Sequence, residues 1–502
     1  MLTSQRSQSA SASARFEKVI TGCDLATLIT EARSGRSASR CAMNAVRFAS
    51  VSKSRNMRSA GHGRRVRKVT RIGRRGDWSN AGRTGAVAAG RWAMRYFIVT
   101  PEQGVMTRSK DVIAMGPDTT VATYASKTDP NVLVADLDPQ TAQALTQEGA
   151  VLYEDVQFSV LDGIEGVPKG ARYWEPEDAA HPMLEVGGLA EVMDQVNAPA
   201  AWGRSKGGNV TIAVIDTGVA GGLGEFATAR RSSLDIQSAF KGQHWEDPKG
   251  HGSMCAAIAC GSQSDGGRHD GVAPQATLVA ARSNLNATDI FAIYDELIDA
   301  KRRGIISGPL VISNSYGLYR CDPEPRLEED HPYLRNVLLA IDNGITVVFA
   351  AGNNHANGLC NHDPTADGPS TIWGVNSHER VISVGTVDRD GANQKLPNPH
   401  VNSSRGPGQW SGKLPKPDVV APTFGEIVWG AGRRVMEWWG TSGACPQVAG
   451  LAALLLSLKP DLTPEQIGDL IRSTAKELSG PPNCVGHGVI DCEAAVAALL
   501  SA

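Results

Sequence analysis

The sequence predicts an α/β protein with a doubly wound, mostly parallel sheet, preceded by a small α+β module and a basic N-terminal segment. Two observations favour this fold class. Beyond about residue 190, short runs that are apolar at nearly every position recur, and such runs are typical of strands buried on both faces of a parallel sheet. Amphipathic helical stretches separate these runs, and strands that alternate with helices are typical of doubly wound sheets.

The first 92 residues differ from the rest of the chain in charge. Residues 1–92 contain 19 Lys and Arg against 4 Asp and Glu, whereas the remainder contains 31 against 48. The segment is rich in Ser, Arg, Gly and Ala and has no periodicity, which predicts disorder. Three interpretations stay open: a nucleic-acid-binding arm, an Arg- and Ser-rich transit-like sequence, or a segment upstream of a true start near Met94. We expect no nucleic-acid contact elsewhere in the chain.

Residues 93–162 have the pattern of a small α+β domain. RYFIVT and NVLVADL predict strands, PQTAQALTQEG predicts a short helix, and AVLYEDVQFSVL alternates as expected for one closing strand. The next stretch, residues 163–190, is rich in Gly, Pro and charge, which is the composition of a linker. The larger domain then covers residues 191–502.

Five apolar runs predict the strands of the larger domain, and two amphipathic stretches that end in Gly predict helices between them. No run approaches the roughly 18 apolar residues of a membrane span, so we expect no membrane contact. Chemistry in such sheets gathers at the carboxyl ends of the strands, which is where candidate residues are sought. The strand runs are TIAVID (211–216), TLVAAR (277–282), LVISNS (310–315), ITVVFAAGN (345–353) and VISVGTV (381–387), and the helical stretches are ATDIFAIYDELIDAKRRG and HPYLRNVLLAIDNG.

Four polar residues lie at the ends of these elements. Asp216 ends TIAVID, and Asn353 ends FAAGN; a turn or a cap is the alternative role for each. His251 lies between two glycines directly before the helical run MCAAIAC, where a packed or surface histidine is the alternative. Ser442 lies in GTSGACPQVAG just ahead of the apolar run LAALLLSL, with Pro446 expected in the first helical turn. A helix N-cap is the alternative role for this serine.

Together the four residues supply a nucleophile, a base, a carboxylate that orients the base, and an oxyanion donor, which is the inventory for acyl transfer. Asp, His, Ser is also one of the chain orders in which serine triads occur. AVIDTGV, GHGSMCAAIACG, FAAGN and GTSGACPQVAG resemble the active-site motifs of the subtilisin-like serine proteases, also called subtilases or peptidase family S8. The resemblance covers about residues 95–500.

The resemblance implies a subtilisin-like fold and a serine endopeptidase that acts through an acyl-enzyme. Ser442 would attack the scissile carbonyl, His251 would take its proton, and Asp216 would orient the imidazole. Asn353 and the Ser442 N–H would bind the oxyanion. A catalytically silent scaffold that binds peptides is the alternative. The polypeptide substrate is expected to lie along Ser315, Tyr316 and Gly317 and along Ala350, Ala351 and Gly352.

Residues 93–162 resemble the family's ferredoxin-like propeptide, an inhibitor and folding chaperone. The resemblance therefore implies a self-processing zymogen whose propeptide is a partner in cis, with cleavage between about residues 162 and 192. Two motifs depart from the family pattern: Met254 replaces the usual second histidine, and Gly443 and Cys445 are unusual beside the serine.

The sequence implies no cofactor for the chemistry and no metal at the catalytic residues. Structural calcium stays open, since the family often binds it, but DRDGANQ (388–394) has its glycine two places too early for an EF-hand loop. No recognisable signal peptide precedes the module, which favours an intracellular protein. A propeptide is commoner in exported relatives, so the location stays open.

Overall fold

The computed structural model describes residues 93–100, 121–160, 189–318, 327–356, 362–363, 368, 370–387, 402–422, 425–429, 432–436 and 440–502. All of them belong to one compact unit, residues 87–502. The basic segment 1–92 and most of the linker 163–190 lie outside the described residues, so both stay predictions.

The first part of the described chain is a four-stranded antiparallel sheet with one helix, here called the N-terminal module (residues 93–154). Its strand order is β2-β3-β1-β4. The Asp138 carboxylate caps the helix by accepting the backbone N–H groups of Gln140 and Thr141. A ferredoxin-like fold stays a prediction, because residues 101–120 lie outside the described part. The elements are β1 (Met94–Val99), β2 (Val121–Ala125), β3 (Val132–Leu137), α1 (Pro139–Gln147) and β4 (Val151–Glu154).

The predicted closing strand is two elements rather than one. Only β4 joins the sheet of the module. The chain then leaves this sheet as the tail (residues 155–160), which ends in the short strand β5 (Ser159–Val160). Phe158 in the tail is 3% exposed, but it is buried against the larger domain. Alternation therefore predicted which residues are buried, but not which partner buries them.

The larger domain is built on a six-stranded sheet in which every strand pair is parallel, with the order β12-β11-β10-β8-β6-β7. All five predicted strands are present in it, and β12 was not predicted. The elements are α2 (Leu189–Gln195), α3 (Ala198–Ala201), β6 (Thr211–Asp216), α4 (His251–Cys260), β7 (Thr277–Arg282), α5 (Ala287–Arg302), β8 (Leu310–Asn314), β9 (Tyr316–Gly317), α6 (Pro332–Asp342), β10 (Thr346–Ala350), β11 (Ile382–Val387), β12 (Val419–Pro422), β13 (Gly425–Trp429), β14 (Gly432–Met436), α7 (Thr441–Leu458), α8 (Pro464–Ser473), α9 (Pro482–Val485) and α10 (Cys492–Ser501).

Helices cover both faces of this sheet, as a doubly wound fold requires. Along β6, Ile212 and Val214 face the core formed with α4 and α7, whereas Ala213 and Ile215 face the core formed with α5 and α6. Helix α7 is long and apolar enough for a membrane span by length and composition, but 89% of its residues are buried inside the protein. It is the central helix of the first core.

The N-terminal module packs on helices α5 and α6 of the larger domain. Phe97 of β1 contacts Phe291 of α5 edge to face, with ring centroids 5.3 Å apart. His331, which caps α6, is 2% exposed, and its ring lies 5.2 Å from that of Phe97 and 5.3 Å from that of Tyr153. The module therefore buries a titratable imidazole of the larger domain.

Candidate active site

Asp216 and His251 meet at the carboxyl edge of the sheet. Asp216 is the last residue of β6 and His251 the first of α4, and Asp216 Oδ1 lies 2.7 Å from His251 Nδ1. Both side chains are fully buried. A Cβ at residue 252 would lie 2.1 Å from the Gly218 carbonyl oxygen, so only glycine lets the helix approach the strand this closely. The carboxylate accepts from Nδ1–H, which makes Nε2 the ring nitrogen that gains or loses a proton.

The environment of the imidazole favours its charged form. Burial lowers the pKa of His251, but the charge of Asp216 and the hydrogen bond to it outweigh this effect and hold the pKa well above the usual 6.5. The pair therefore stabilises an imidazolium, the species that forms when the base has taken a proton from a nucleophile.

Asp247, which the sequence reasoning missed, organises the loop that leads into His251. Its buried carboxylate accepts the Thr217 hydroxyl at 2.8 Å, the Gly250 N–H at 2.8 Å, and the N–H and hydroxyl of Ser253 at 2.8 and 2.7 Å. The stretch DPKGHGS contained the signal for this role, because an Asp shortly before the start of a helix often acts as a turn and cap residue.

Ser442 lies in the first turn of α7, close to the same edge of the sheet. Its side chain is fully buried, and Oγ donates a hydrogen bond to the Ser315 carbonyl at 3.3 Å. Cys255 joins this turn to the histidine, because its Sγ lies 3.8 Å from His251 Nδ1 and 3.6 Å from the Ser442 carbonyl oxygen. The structure thus places the first turn of α7, which carries the predicted serine, beside the buried imidazole and carboxylate.

Pro446 is not in the first turn of α7, as predicted, but inside the helix, five residues after Thr441. Because proline has no N–H, the carbonyl four residues earlier, that of Ser442, receives no helical hydrogen bond. That carbonyl accepts instead from the Ser315 hydroxyl at 3.2 Å and lies near the Cys255 thiol. The interior proline therefore frees the backbone of Ser442 to contact the two neighbouring elements.

Asn353 packs over the start of α7, as an oxyanion donor would. Its Oδ1 accepts the Thr441 N–H at 3.0 Å and the Thr441 hydroxyl at 3.1 Å, which fixes the amide nitrogen as the donor on the other side. A Cβ at residue 440, where φ is 59°, would lie 2.4 Å from this nitrogen, so Gly440 makes room for the amide.

The tail lies along the strand that was predicted to bind substrate. β5 pairs antiparallel with β9, with Ser159 opposite Gly317 and Val160 opposite Tyr316. On its other side the tail contacts residues 285–287, which the sequence reasoning missed: the Phe158 N–H donates to the Leu285 carbonyl at 2.8 Å. Leu285 has a φ of 65°, which no sequence pattern indicated. The tail is thus a strand held between two edges of the larger domain.

The second predicted subsite segment, Ala350 to Gly352, follows β10 beside the first. Asn376, also missed by the sequence reasoning, donates through Nδ2 to the Ala350 carbonyl at 2.7 Å and to the Tyr316 carbonyl at 2.8 Å. Gly352 N–H donates to the Thr441 hydroxyl at 3.1 Å. One buried amide therefore holds both predicted subsite segments in register.

Among the described residues, the one cluster of three acidic, histidine or cysteine side chains able to hold an ion is Asp216, His251 and Cys255. Calcium prefers six to eight oxygen ligands, roughly, so this set of one carboxylate, one imidazole and one thiol does not fit it. DRDGANQ (388–394) lies outside the described residues. Structural calcium therefore stays a prediction.

The sequence of the chain matches the family model described as the Subtilase family, Peptidase S8, over residues 207–488. This chain belongs to the subtilase family. The family expected from the motifs is confirmed, and so is the doubly wound, mostly parallel α/β fold expected with it.

Two curated relatives of this subtilase illustrate the match. It is 29% identical over 312 residues to the calcium-dependent protease of Nostoc sp., covering 56% of this chain and 44% of that protein. This chain is also 29% identical over 322 residues to the serine protease AprX of Bacillus subtilis, and the match covers 58% of this chain and 66% of that protein. The match thus spans less than half of the length of the Nostoc protein.

A solved structure shares the fold of this subtilase. Fervidolysin from Fervidobacterium pennivorans, a keratinolytic enzyme related to subtilisin, matches with a TM-score of 0.53 at 18% sequence identity. The match covers 82% of this chain and 62% of that chain. At this identity the likeness speaks to the fold alone.

Proposed function

We propose that this subtilase is a serine endopeptidase and that Ser442, His251 and Asp216 are its catalytic residues. The observation that carries the proposal is the buried 2.7 Å hydrogen bond between Asp216 and His251, beside the first turn of α7 where Ser442 lies. Membership of the subtilase family supports the same reaction class.

In the proposed mechanism, Ser442 Oγ attacks the carbonyl carbon of the substrate and His251 Nε2 takes the hydroxyl proton. Asp216 stabilises the resulting imidazolium. The Asn353 amide and the Ser442 N–H donate to the oxyanion that develops on the substrate. His251 then gives its proton to the leaving amine, which produces an acyl-enzyme on Ser442, and a water molecule hydrolyses this ester by the same steps.

A fluorophosphonate probe tests this assignment, because it labels only an activated serine. We expect the unmodified chain to be labelled and Ser442→Ala to be unlabelled. Ser457→Ala is the matched control, since it removes a serine near the other end of the same helix α7. A chain that is folded but unlabelled would favour the silent peptide-binding scaffold instead.

We also propose that the chain is a zymogen that processes itself, with the N-terminal module as its inhibitor. Support comes from the tail, which runs antiparallel to β9 as an extended peptide substrate would. Ser315 directly precedes β9, and its carbonyl accepts the Ser442 hydroxyl, so the proposed nucleophile lies one position beyond the Val160–Tyr316 pair. The proposed bond for processing therefore follows Leu161, at the start of the predicted processing region.

Mass spectrometry of the purified protein tests the processing site. We expect an N-terminus at Asp162 in the active chain and none there in Ser442→Ala. A first residue well downstream of this position would refute the register, and cleavage in Ser442→Ala would refute self-processing. The same spectrum shows whether residues 1–93 are present. Nucleic-acid binding by residues 1–92 stays a separate prediction.

A further inference from the structure

Two histidines lie together in the part of the chain that follows Asn353. His355 is 0% exposed, and His362 is half-buried. Their ring centroids are 5.6 Å apart at an interplanar angle of 46°. The His362 N–H donates to the His355 carbonyl at 3.2 Å, so the backbone also holds the two residues together. The proposed mechanism uses neither imidazole, which leaves the pairing of these rings unexplained.

The hydrogen bond of the His355 ring indicates which of its nitrogens carries a proton. Nε2 lies 3.0 Å from the Asp363 carbonyl oxygen, which can only accept, so Nε2 is the donor. In the neutral ring, Nδ1 therefore carries the lone pair. Nδ1 is buried and has no hydrogen-bond partner among the residues that the structure describes. A buried polar atom without a partner requires an explanation, and a bound ion is one.

The surroundings of His355 favour this neutral ring. Burial lowers the pKa of His355 below its usual 6.5, and the neighbouring Arg405 and His362 lower it further, whereas Asp363 raises it. Because Arg405 and Asp363 carry opposite charges, their effects on an ion beside the ring oppose each other. A neutral imidazole is the form of histidine that binds a metal ion.

We propose that His355 and His362 are the protein ligands of a site for a divalent transition metal such as Zn²⁺, with water completing the coordination. Imidazole nitrogen suits zinc, copper and nickel, whereas calcium prefers oxygen ligands. Two imidazoles on a tetrahedral zinc ion, at Zn–N distances of about 2.0–2.1 Å, have ring centroids roughly 5 Å apart. The observed spacing of 5.6 Å is close to this value. The bond from Nε2–H to a backbone carbonyl is the outer contact that metal-bound histidines typically make.

A metal ion at this pair would cross-link two positions close in sequence to the proposed oxyanion donor. Asn353 lies two positions before His355, and the His355 N–H donates to the Asn402 carbonyl at 3.3 Å. An ion that binds only the folded chain raises its free energy of unfolding. We therefore expect Zn²⁺ to raise the melting temperature. Zinc binding is measured without turnover, so this inference does not depend on the proposed endopeptidase function.

Calorimetric titration of the full Ser442→Ala chain with Zn²⁺ tests the proposal. We expect a zinc site that His362→Ala loses and that His269→Ala keeps, because this matched control removes a partly exposed imidazole from a different loop. Loss of a ligand should weaken binding by more than the roughly 10- to 100-fold that loss of an outer contact costs. His355→Ala should lose the same site. Because His355 is buried and its loss can damage the fold, the half-buried His362 is the deciding position.

The cluster of Asp216, His251 and Cys255 is the competing place for an ion, and His251→Ala separates the two. We expect the zinc site to persist in His251→Ala. X-ray absorption should show imidazole nitrogens at about 2.0–2.1 Å, and His362→Cys should replace one of them with sulfur at about 2.3 Å. Zinc binding that survives His362→Ala would overturn the proposal. Binding that requires His251 instead would assign the ion to the catalytic cluster, and a spectrum of His362→Cys without sulfur would also refute the assignment.

Discussion

Replacing Asp295 with alanine should release the N-terminal module from helix α5. The side chain of Asp295 is fully buried although it lies in the middle of an amphipathic helix. Its carboxylate accepts hydrogen bonds from the end of β2 and the loop that follows it. The donors are the hydroxyls of Tyr124 (2.7 Å), Ser126 (2.9 Å) and Thr128 and the backbone N–H groups of Lys127 (2.6 Å) and Thr128 (3.1 Å).

The size of the effect follows from this geometry. A hydrogen bond to a charged group contributes roughly 1.5–3 kcal/mol, but bonds that share one carboxylate are not additive. Removing one partner of a buried, hydrogen-bonded charge costs roughly 3–5 kcal/mol. Taking the lower end of that range, we expect docking of the module to weaken by about 3 kcal/mol, which is about 150-fold in the equilibrium constant.

Hydrogen exchange measures this change without cutting the chain. In the unprocessed Ser442→Ala background, Asp295→Ala should speed the exchange of the β2 and β3 amides toward the limit set by the isolated module. Asp299→Ala is the matched control, because Asp299 lies one turn further along α5 and pairs with Arg303, the C-cap residue of this helix. Equal exchange in the two variants would refute the role assigned to Asp295.

Three further predictions concern pH, the oxyanion donor and the histidine loop. Burial lowers the pKa of His331 to about 4, so the docked state binds fewer protons than the undocked state. Docking of the module should therefore be strongest above pH 6.5 and should weaken as the pH falls toward 4. Hydrogen exchange should show no such pH dependence in His331→Gln. Asn353→Ala should lower kcat by on the order of 10²–10³-fold. Gly440→Ala should lower kcat by a similar factor, because its Cβ would displace the Asn353 amide. Unchanged kinetics of Gly440→Ala would contradict this geometry. Asp247→Ala should lower the free energy of unfolding by roughly 2–4 kcal/mol. It should also slow turnover, because the loop that leads into His251 loses its hydrogen bonds. An unchanged melting temperature of this variant would contradict the role assigned to Asp247.

Sequence alone predicted five of the six strands of the sheet and the polar residues at its edge, because both depend on local signals. Runs such as TIAVID are apolar at nearly every position only where both faces of a strand are buried, and the 0% exposure of Asp216 at the end of that run agrees with this. Gly252 and Gly440 mark positions where two backbones or an amide approach too closely for a Cβ. Each of these constraints depends on a single residue, so the sequence alone can indicate it.

Contacts between the module and the larger domain could not be predicted in this way. Helix α5 has the periodicity of a helix with one exposed face, and Asp295 lies on its polar side, yet the N-terminal module covers that side. The tail alternates as a strand of the module but pairs with β9. Periodicity reports how much of a residue is buried, whereas the identity of the partner depends on residues far away in the chain.

The Asp295 contacts and the pairing of the tail with β9 both attach the N-terminal part of the chain to the larger domain, in addition to the packing of Phe97 and His331. Because both belong to one continuous segment, residues 121–160, they act as a bivalent ligand: when one is released, the other holds it at a high effective concentration for rebinding. For the proposed zymogen, an incoming peptide would compete only with the tail for β9. We therefore expect full activity after cleavage to be delayed until the second attachment fails, with the lifetime of the nicked complex setting the delay.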